Sequence, residues 1–141
     1  MGDTLHLHHV GIAVPDIASA ANRYRDRYGY EHASETIHDP AQQAYVQFFR
    51  LPGDQTYLEL VAPDGPDSRL SGAAKNGESL HHLCYSTENI EAACAGLRKQ
   101  GLTLVRAPVS AVAFRGRRIA WLMGRDRMLT ELVEKGPAGE I

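Results

Sequence analysis

The sequence lacks several features that would assign it at once to a broad functional class. Its 141 residues carry 15 basic and 17 acidic side chains, so the formal net charge of −2 excludes the strongly basic surface of a general nucleic-acid binder. No apolar stretch approaches the length of a membrane span. The N-terminus has no basic region followed by an apolar signal core. We therefore expect a cytoplasmic protein with neither nucleic-acid nor membrane partners.

Cysteine is also scarce. Cys84 and Cys94 are the two cysteines, and their spacing matches neither a Cys-x-x-Cys redox motif nor a cysteine-based zinc site. Two reduced thiols, one on a strand and one on a helix, are the expected interpretation in a reducing compartment.

What the sequence does contain is an internal repeat. The pair His8-His9 is followed 73 residues later by His81-His82. The run TYLELV at 56–61 aligns with MLTELV at 128–133, an offset of 72. Two copies at a nearly constant offset indicate a duplicated half-domain, because a solenoid needs at least three units.

Both copies predict the same order of elements. A short apolar strand, at residues 7–14 and 80–87, is followed by a capping residue, Asp16 or Asn89, and by apolar positions at helical spacing up to Gly29 or Gly101. Three strand-like runs then follow each helix, at 30–37, 44–51 and 55–61 in the first copy and at 103–108, 117–123 and 128–133 in the second. The pattern predicts β-α-β-β-β twice, which is an α+β fold.

The connections carry turn residues. LPGD at 51–54 and MGRD at 123–126 are typical of hairpin turns between the last two strands of each copy. The link between the copies contains PDGPDS and KNGES, with a short helix predicted around 68–75.

Each copy places one histidine and one glutamate on the strands that bracket it. Side chains alternate between the faces of a strand, so His9 and Glu59 in the first copy correspond to His82 and Glu131 in the second. If the copies pair about a pseudo-twofold axis, these four side chains converge in one cleft. Two carboxylates shielded from water repel each other, and a divalent cation such as Co, Ni, Zn, Mn or Fe removes that cost. The open alternative is a histidine satisfied within the core and a glutamate facing water.

Four segments resemble the vicinal-oxygen-chelate superfamily, which includes glyoxalase I, methylmalonyl-CoA epimerase, extradiol dioxygenases and drug-sequestering resistance proteins. They are HHVGIAVPDI, ELVAPDGPDS, KNGESLHHLCYS and LTELVEKG, between His8 and Lys135. The linker sequence is most similar to that of the epimerase branch. The resemblance implies two tandem βαβββ modules forming a curved mixed sheet around a metal cleft, and a homodimer. It also implies one domain over 1–141, with modules at about 5–62 and 80–135 and a linker at 63–79.

The resemblance also implies roles for the four side chains. The ligand positions of the superfamily fall on His9, Glu59, His82 and Glu131, a set also found in glyoxalase I. The epimerase commonly has Gln where this chain has Glu59, some members have a Glu on the third strand, and the epimerase tends to carry a Phe-x-His-Pro segment near its end. This chain departs from the epimerase at all three places.

The activity implied is a metal-dependent epimerisation or isomerisation of an acyl-CoA thioester, with Glu131 and Glu59 transferring a proton beside a carbonyl. The alternatives are a glyoxalase I-like lyase acting on a hemithioacetal, a metal-free resistance protein that binds a small molecule, and an iron-dependent ring-cleaving dioxygenase.

Six further residues are candidates for substrate binding. Gln47, Phe49 and Trp121 are expected to line the pocket, although aromatic residues at such positions often belong to a core. A basic group near the end of the second copy is expected to clamp a substrate carboxylate or CoA phosphates, the alternative being a solvated hairpin. It consists of Arg115, Arg117 and Arg118.

Overall fold

Both copies of the repeat fold in the order strand, helix, strands. The computed structural model describes residues 4–75 and 77–141, so Asn76 of the linker motif lies outside the described residues. The chain divides into two units, one of His9–His81 and the other of the described residues up to His8 together with His82–Ile141.

The first copy consists of five strands and one helix: β1 His6–Ala13, α1 Ile17–Tyr28, β2 Glu31–His32, β3 Ile37–Asp39, β4 Ala44–Arg50 and β5 Tyr57–Pro63. The linker contains the short helix α2 Ser71–Ala74. The second copy consists of β6 Ser79–Thr87, α3 Ile90–Lys99, β7 Thr103–Ser110, a 3₁₀ turn at Val112–Phe114, β8 Arg118–Met123 and β9 Leu129–Glu134. The predicted βαβββ order is confirmed, with the first run after α1 divided into two short strands, β2 and β3.

The strand order is equivalent in the two copies. In the first it is β2-β4-β5-β1, with β3 also pairing with β4, and in the second it is β6-β9-β8-β7. The first strand of each copy runs parallel to the last, while the other pairs are antiparallel. A parallel pair needs a crossover connection, which α1 or α3 begins in each copy.

Capping fixes where the helices begin, as the sequence predicts. The Asp16 carboxylate accepts a hydrogen bond from the Ser19 N–H at 2.9 Å, and the Asn89 side chain accepts one from the Ala92 N–H at 3.0 Å. At the other end of α1, Gly29 adopts a left-handed conformation with φ of 85°, and its N–H reaches the Arg25 carbonyl at 3.0 Å.

The helices cover one face of the strands with apolar side chains. Against α1 the buried cluster includes Phe49, Leu58 and Leu60, and against α3 it includes Ala120, Leu122 and Leu132. The strand residues between these positions face the other side, because side chains alternate along a strand. The helix layer therefore determines which side chains remain for a site.

The run at 30–37 is not one strand as predicted, because a bulge divides it into β2 and β3. The amides of Ala33 and Ser34 both donate to the Phe48 carbonyl, at 2.9 and 3.2 Å, and the Ser34 hydroxyl accepts from the Phe48 N–H at 3.0 Å. Ala33 and Ser34 therefore both lie opposite Phe48, and this bulge interrupts the hydrogen-bond ladder with β4.

Two other boundaries also differ. The second hairpin turn lies one residue beyond MGRD, with the Arg127 N–H donating to the Gly124 carbonyl at 3.0 Å. The linker helix is four residues long, shorter than the predicted 68–75. No helix in the described part of the chain is both long and apolar enough to cross a membrane.

The cap of α1 provides a test of this local reasoning. Replacing Asp16 with Ala removes the acceptor for the Ser19 N–H, so we expect the free energy of unfolding to fall by about 1 kcal/mol in urea denaturation. Asp26→Ala is the matched control, because Asp26 lies on the exposed surface of the same helix and contacts Arg25. Equal losses in the two variants would contradict the capping role.

Candidate functional site

The first histidine–glutamate pair is set by the register of β1 against β5. Gly11 lies opposite Glu59, so Glu59 is diagonal to His9 on the same face. The His9 Nε2 and Glu59 Oε1 atoms are 3.3 Å apart. Both residues are buried, with exposed fractions of 0% and 5%. An imidazole and a carboxylate are thus held together out of water.

The second copy repeats this geometry. Cys84 lies opposite Glu131 in the β6–β9 register, which places Glu131 diagonal to His82. The His82 Nε2 and Glu131 Oε1 atoms are also 3.3 Å apart, and these residues are 1% and 3% exposed. The alternative of glutamates facing water is therefore wrong for both copies.

The spacing in each pair suits two ligands of one cation. Two donors that are each about 2.1 Å from a metal, at angles between 90° and 110°, lie roughly 3.0–3.4 Å from each other. Imidazole nitrogen and carboxylate oxygen are the donors that Zn, Ni, Co, Mn and Fe accept. The donor chemistry and the separation within each pair therefore fit a divalent ion.

An aromatic ring packs edge-on against each of the two imidazoles. Phe48 lies 5.3 Å from the His9 ring at an interplanar angle of 73°, and Trp121 lies 4.9 Å from the His82 ring at 82°. Each ring is also the cross-strand partner of the glutamate of its own copy, Phe48 of Glu59 and Trp121 of Glu131. Both rings therefore restrict the orientation of an imidazole.

Phe48 was missed by the sequence reasoning, which paired Phe49 with Trp121. The signal was present, because Phe48 and Trp121 are separated by 73 residues, the offset of the histidine pairs. Phe49 faces the helix layer and packs in the cluster with Leu58 and Leu60. The structure thus corrects the expectation that Phe49 lies beside the ligand pair, since it is on the opposite face of β4.

Gln47 also points away from the ligand face. Its side-chain amide donates to the Ser34 carbonyl at 2.9 Å, and its oxygen accepts from the Thr36 hydroxyl at 3.2 Å. Gln47 is 6% exposed and shares the face of Leu60. Its hydrogen bonds support the bulge after β2, which differs from the expected role in lining a substrate pocket.

Arg118 is engaged by carboxylates within its own copy. Its guanidinium contacts the carboxylates of Glu134 at 2.9 Å and Glu91 at 2.7 Å. The backbone N–H of Arg118 also donates to the Glu134 carboxylate at 2.7 Å. These hydrogen bonds raise the pKa of Arg118 and lower the pKa of both Glu134 and Glu91. The residue ties β8 to β9 and α3, and its charge is already balanced.

The other two arginines of the basic group hold the C-terminal segment. Arg117 donates to the Glu134 carbonyl at 2.9 Å and to the carbonyl of Ile141, and its guanidinium lies 5.6 Å from the Phe114 ring centre. Burial lowers the pKa of Arg117. Arg115 is largely exposed and contacts Glu140 at 3.2 Å. All three arginines therefore have partners within the chain, and the expected anion clamp stays a prediction.

The chain is similar to a known protein family and to characterised epimerases. A family model described as the glyoxalase/bleomycin resistance protein/dioxygenase superfamily matches residues 8–121. The ethylmalonyl-CoA/methylmalonyl-CoA epimerase of Cereibacter sphaeroides is 32% identical over 122 residues, which cover 85% of this chain and 89% of that protein.

Solved structures give the same result. The methylmalonyl-CoA epimerase of Mycobacterium tuberculosis superposes with a TM-score of 0.81 at 30% identity, over 93% of this chain and 88% of that one. A variant of the Streptomyces coelicolor methylmalonyl-CoA epimerase in complex with 2-nitronate-propionyl-CoA has a TM-score of 0.81 at 30% identity, over 95% of this chain and all of that one. Epimerase homologues over most of the chain indicate an enzyme.

The Arg118–Glu134 ion pair predicts a pH-dependent stability. Because the pKa of Glu134 is lowered in the folded state, its contribution is fully present above the ordinary carboxyl pKa and is lost as the pH falls through the lowered value. We expect Glu134→Gln to destabilise the protein most near neutral pH, with the difference from wild type shrinking toward pH values of about 3. Urea denaturation across this range measures it.

The control for that series is Glu88→Gln. Glu88 contacts Lys135 at 3.4 Å on the exposed surface, where an ion pair contributes little. A Glu134→Gln variant that shows no greater pH dependence than Glu88→Gln would contradict the role of Arg118.

Each buried histidine–glutamate pair predicts a contribution to metal binding. We expect His9→Gln and His82→Gln each to weaken Co²⁺ binding by at least about tenfold, because each removes a nitrogen donor beside a buried carboxylate. Calorimetry and the visible absorption of Co²⁺ measure the effect. His38→Gln is the control, since His38 pairs with Asp64 at an exposed position. Unchanged affinity in both ligand variants would rule out this site.

Proposed function

Since the chain belongs to the glyoxalase/bleomycin resistance protein/dioxygenase superfamily, we propose that it is a metal-dependent epimerase acting on a methylmalonyl-CoA-type thioester. The observation that carries the proposal is the buried histidine–glutamate pair, which occurs with the same 3.3 Å separation in both copies. The epimerase relatives, at 32% and 30% identity, support the substrate class.

The proposed ligands of one divalent ion are His9, Glu59, His82 and Glu131. When bound, such an ion stabilises negative charge on a substrate carbonyl oxygen. The protein holds the donors in place through the parallel strand registers and through the rings of Phe48 and Trp121. The identity of the metal, among Co, Ni, Zn, Mn and Fe, is left to measurement.

The proposed proton-transfer groups are Glu131 and Glu59. On β4 and β8, the strands next to each glutamate, the residues on the glutamate's face are mostly apolar. Val46 and Phe48 flank Glu59, whereas Ile119 and Trp121 flank Glu131. A carboxylate surrounded by such side chains is shielded from bulk water while the substrate is bound, and its proton exchanges with water between turnovers. Removal by one glutamate and return from the other side inverts the carbon.

A glyoxalase I-like lyase is the second candidate. The observation that favours it is that both copies carry Glu at the ligand position. In that reaction the removed proton returns to the neighbouring carbon of a hemithioacetal, so the same glutamate serves as base and acid. The homodimer, the cytoplasmic location and the single-domain organisation expected from the sequence stay predictions.

Solvent deuterium exchange tests the proposal. The metal-loaded protein is incubated in heavy water with methylmalonyl-CoA, or with the hemithioacetal of glutathione and methylglyoxal, and mass spectrometry follows deuterium at carbon. We expect exchange with the CoA thioester, reduced about 10²-fold or more in Glu131→Gln and in Glu59→Leu, because each variant loses a proton-accepting carboxylate. Leu replaces Glu59 because the epimerase commonly has Gln at that position.

Two controls separate the possible causes of such a loss. The metal content of each variant distinguishes a lost ligand from a lost base. Glu35→Gln changes an exposed carboxylate in the bulge after β2 and is expected to exchange as the wild type does. Normal exchange in both glutamate variants would refute the proton-transfer assignment, whereas exchange with the hemithioacetal alone would favour the lyase.

A further inference from the structure

Arg106 lies beside the ligand face of the second copy. It is the cross-strand partner of Trp121 in the β7–β8 pair, and Trp121 is in turn the partner of Glu131 in the β8–β9 pair. Partners in antiparallel strands project from the same face. Arg106, Trp121 and Glu131 therefore form a row across three adjacent strands, on the face that also carries His82.

Arg106 differs from the other half-buried arginines in residues 4–75 and 77–141. Each of the others has a carboxylate or carbonyl partner: Arg23 with Glu78, Arg117 with the Glu134 carbonyl, and Arg118 with Glu134 and Glu91. Arg106 has no such partner among the described residues. A half-buried guanidinium without an anion pays part of its desolvation cost without an ionic partner. An anion bound beside Trp121 would compensate for this loss.

The backbone around Arg106 is irregular. The β7–β8 register shifts once between Leu104 and Arg106 and again between Arg106 and Val109. Bulges of this kind change the direction of a side chain and are common next to active sites. The first shift brings Arg106 opposite Trp121, whereas the uninterrupted register starting at Leu104 would pair it with Ala120.

The repeat shows that this feature belongs to one copy only. In the first copy, the residues opposite the equivalent ring, Phe48, are Ala33 and Ser34. Phe48 is fully buried, whereas Trp121 keeps part of its surface accessible. The two copies thus share their metal-type donors. On this face the first copy has an exposed Arg50, which lies 5.2 Å from the centre of the Tyr57 ring, whereas the second copy has a half-buried Arg106 opposite Trp121.

We infer that Arg106 binds an anionic oxygen group of the substrate, with Trp121 forming the adjacent apolar wall. Its planar guanidinium suits carboxylate and phosphate equally. The inference rests on the proposed function in that an acyl-CoA supplies both groups, the acyl carboxylate and the CoA phosphates. It is an alternative to the clamp expected from Arg115, Arg117 and Arg118.

Calorimetric titration of the metal-loaded protein with three probes tests the inference. The probes are malonate, CoA and methylmalonyl-CoA, and the variants are Arg106→Gln and Arg106→Lys. We expect Arg106→Gln to weaken methylmalonyl-CoA binding by about tenfold to a hundredfold, and Arg106→Lys by less, because lysine retains the charge without the planar fork. In turnover assays the loss is expected in KM more than in kcat.

The probes separate the two sources of the anion. A loss for malonate with CoA unchanged identifies the acyl carboxylate, and the reverse identifies the phosphates. Arg98→Gln is the matched control, since Arg98 is an exposed arginine of α3 in the same unit. Melting curves from circular dichroism establish that each variant is folded.

Two results would overturn the inference. One is wild-type affinity of Arg106→Gln for all three probes, or a loss no greater than that of Arg98→Gln. The other is a wild-type protein that binds none of the probes. Binding that depends on Arg106 in a protein that does not epimerise methylmalonyl-CoA would leave the anion site standing and refute the proposed function alone.

Discussion

Parallel pairing of the first and last strands of each copy is the constraint on which the site depends. Because β1 runs alongside β5 in one register, His9 and Glu59 meet on the face opposite the helix, and the β6–β9 pair does the same for His82 and Glu131. A slip of one residue would turn each glutamate into the apolar helix layer. The helices, in burying the alternate residues, hold that register and thereby hold the ligand pairs.

Duplication explains why both copies carry the same histidine and glutamate donors, but it does not explain the differences between the residues around them. Both copies retain an aromatic ring at the cross-strand position next to the glutamate, which positions the imidazole in each. The two rings differ in exposure, since Phe48 is fully buried while Trp121 is partly accessible. The two histidine–glutamate pairs thus have unequal neighbours, with Arg50 over Tyr57 in the first copy and Arg106 opposite Trp121 in the second.

Charge elsewhere in the second copy serves the structure. Arg118 links strands to helix through two carboxylates, and Arg117 secures the C-terminal segment through backbone carbonyls. Guanidinium groups with such partners are poorly suited to exchange them for a ligand, since each would leave a buried or half-buried acceptor unpaired. Arg117 and Arg118 therefore stabilise the fold, whereas Arg106 lies on the strand face that carries His82 and Glu131.

The order of elements, the helix caps and the two histidine–glutamate pairs follow from the sequence by itself, because periodicity, capping residues and a repeat offset are local patterns. What the sequence left undecided was the partner of each long side chain. The bulge at Ser34 and the register shifts beside Arg106 depend on hydrogen bonds to another strand, and those contacts arise only on folding. Tertiary structure therefore decided that Phe48 and not Phe49 faces His9 and Glu59. It also decided that Arg118 has carboxylate partners, whereas Arg106 has none among residues 4–75 and 77–141.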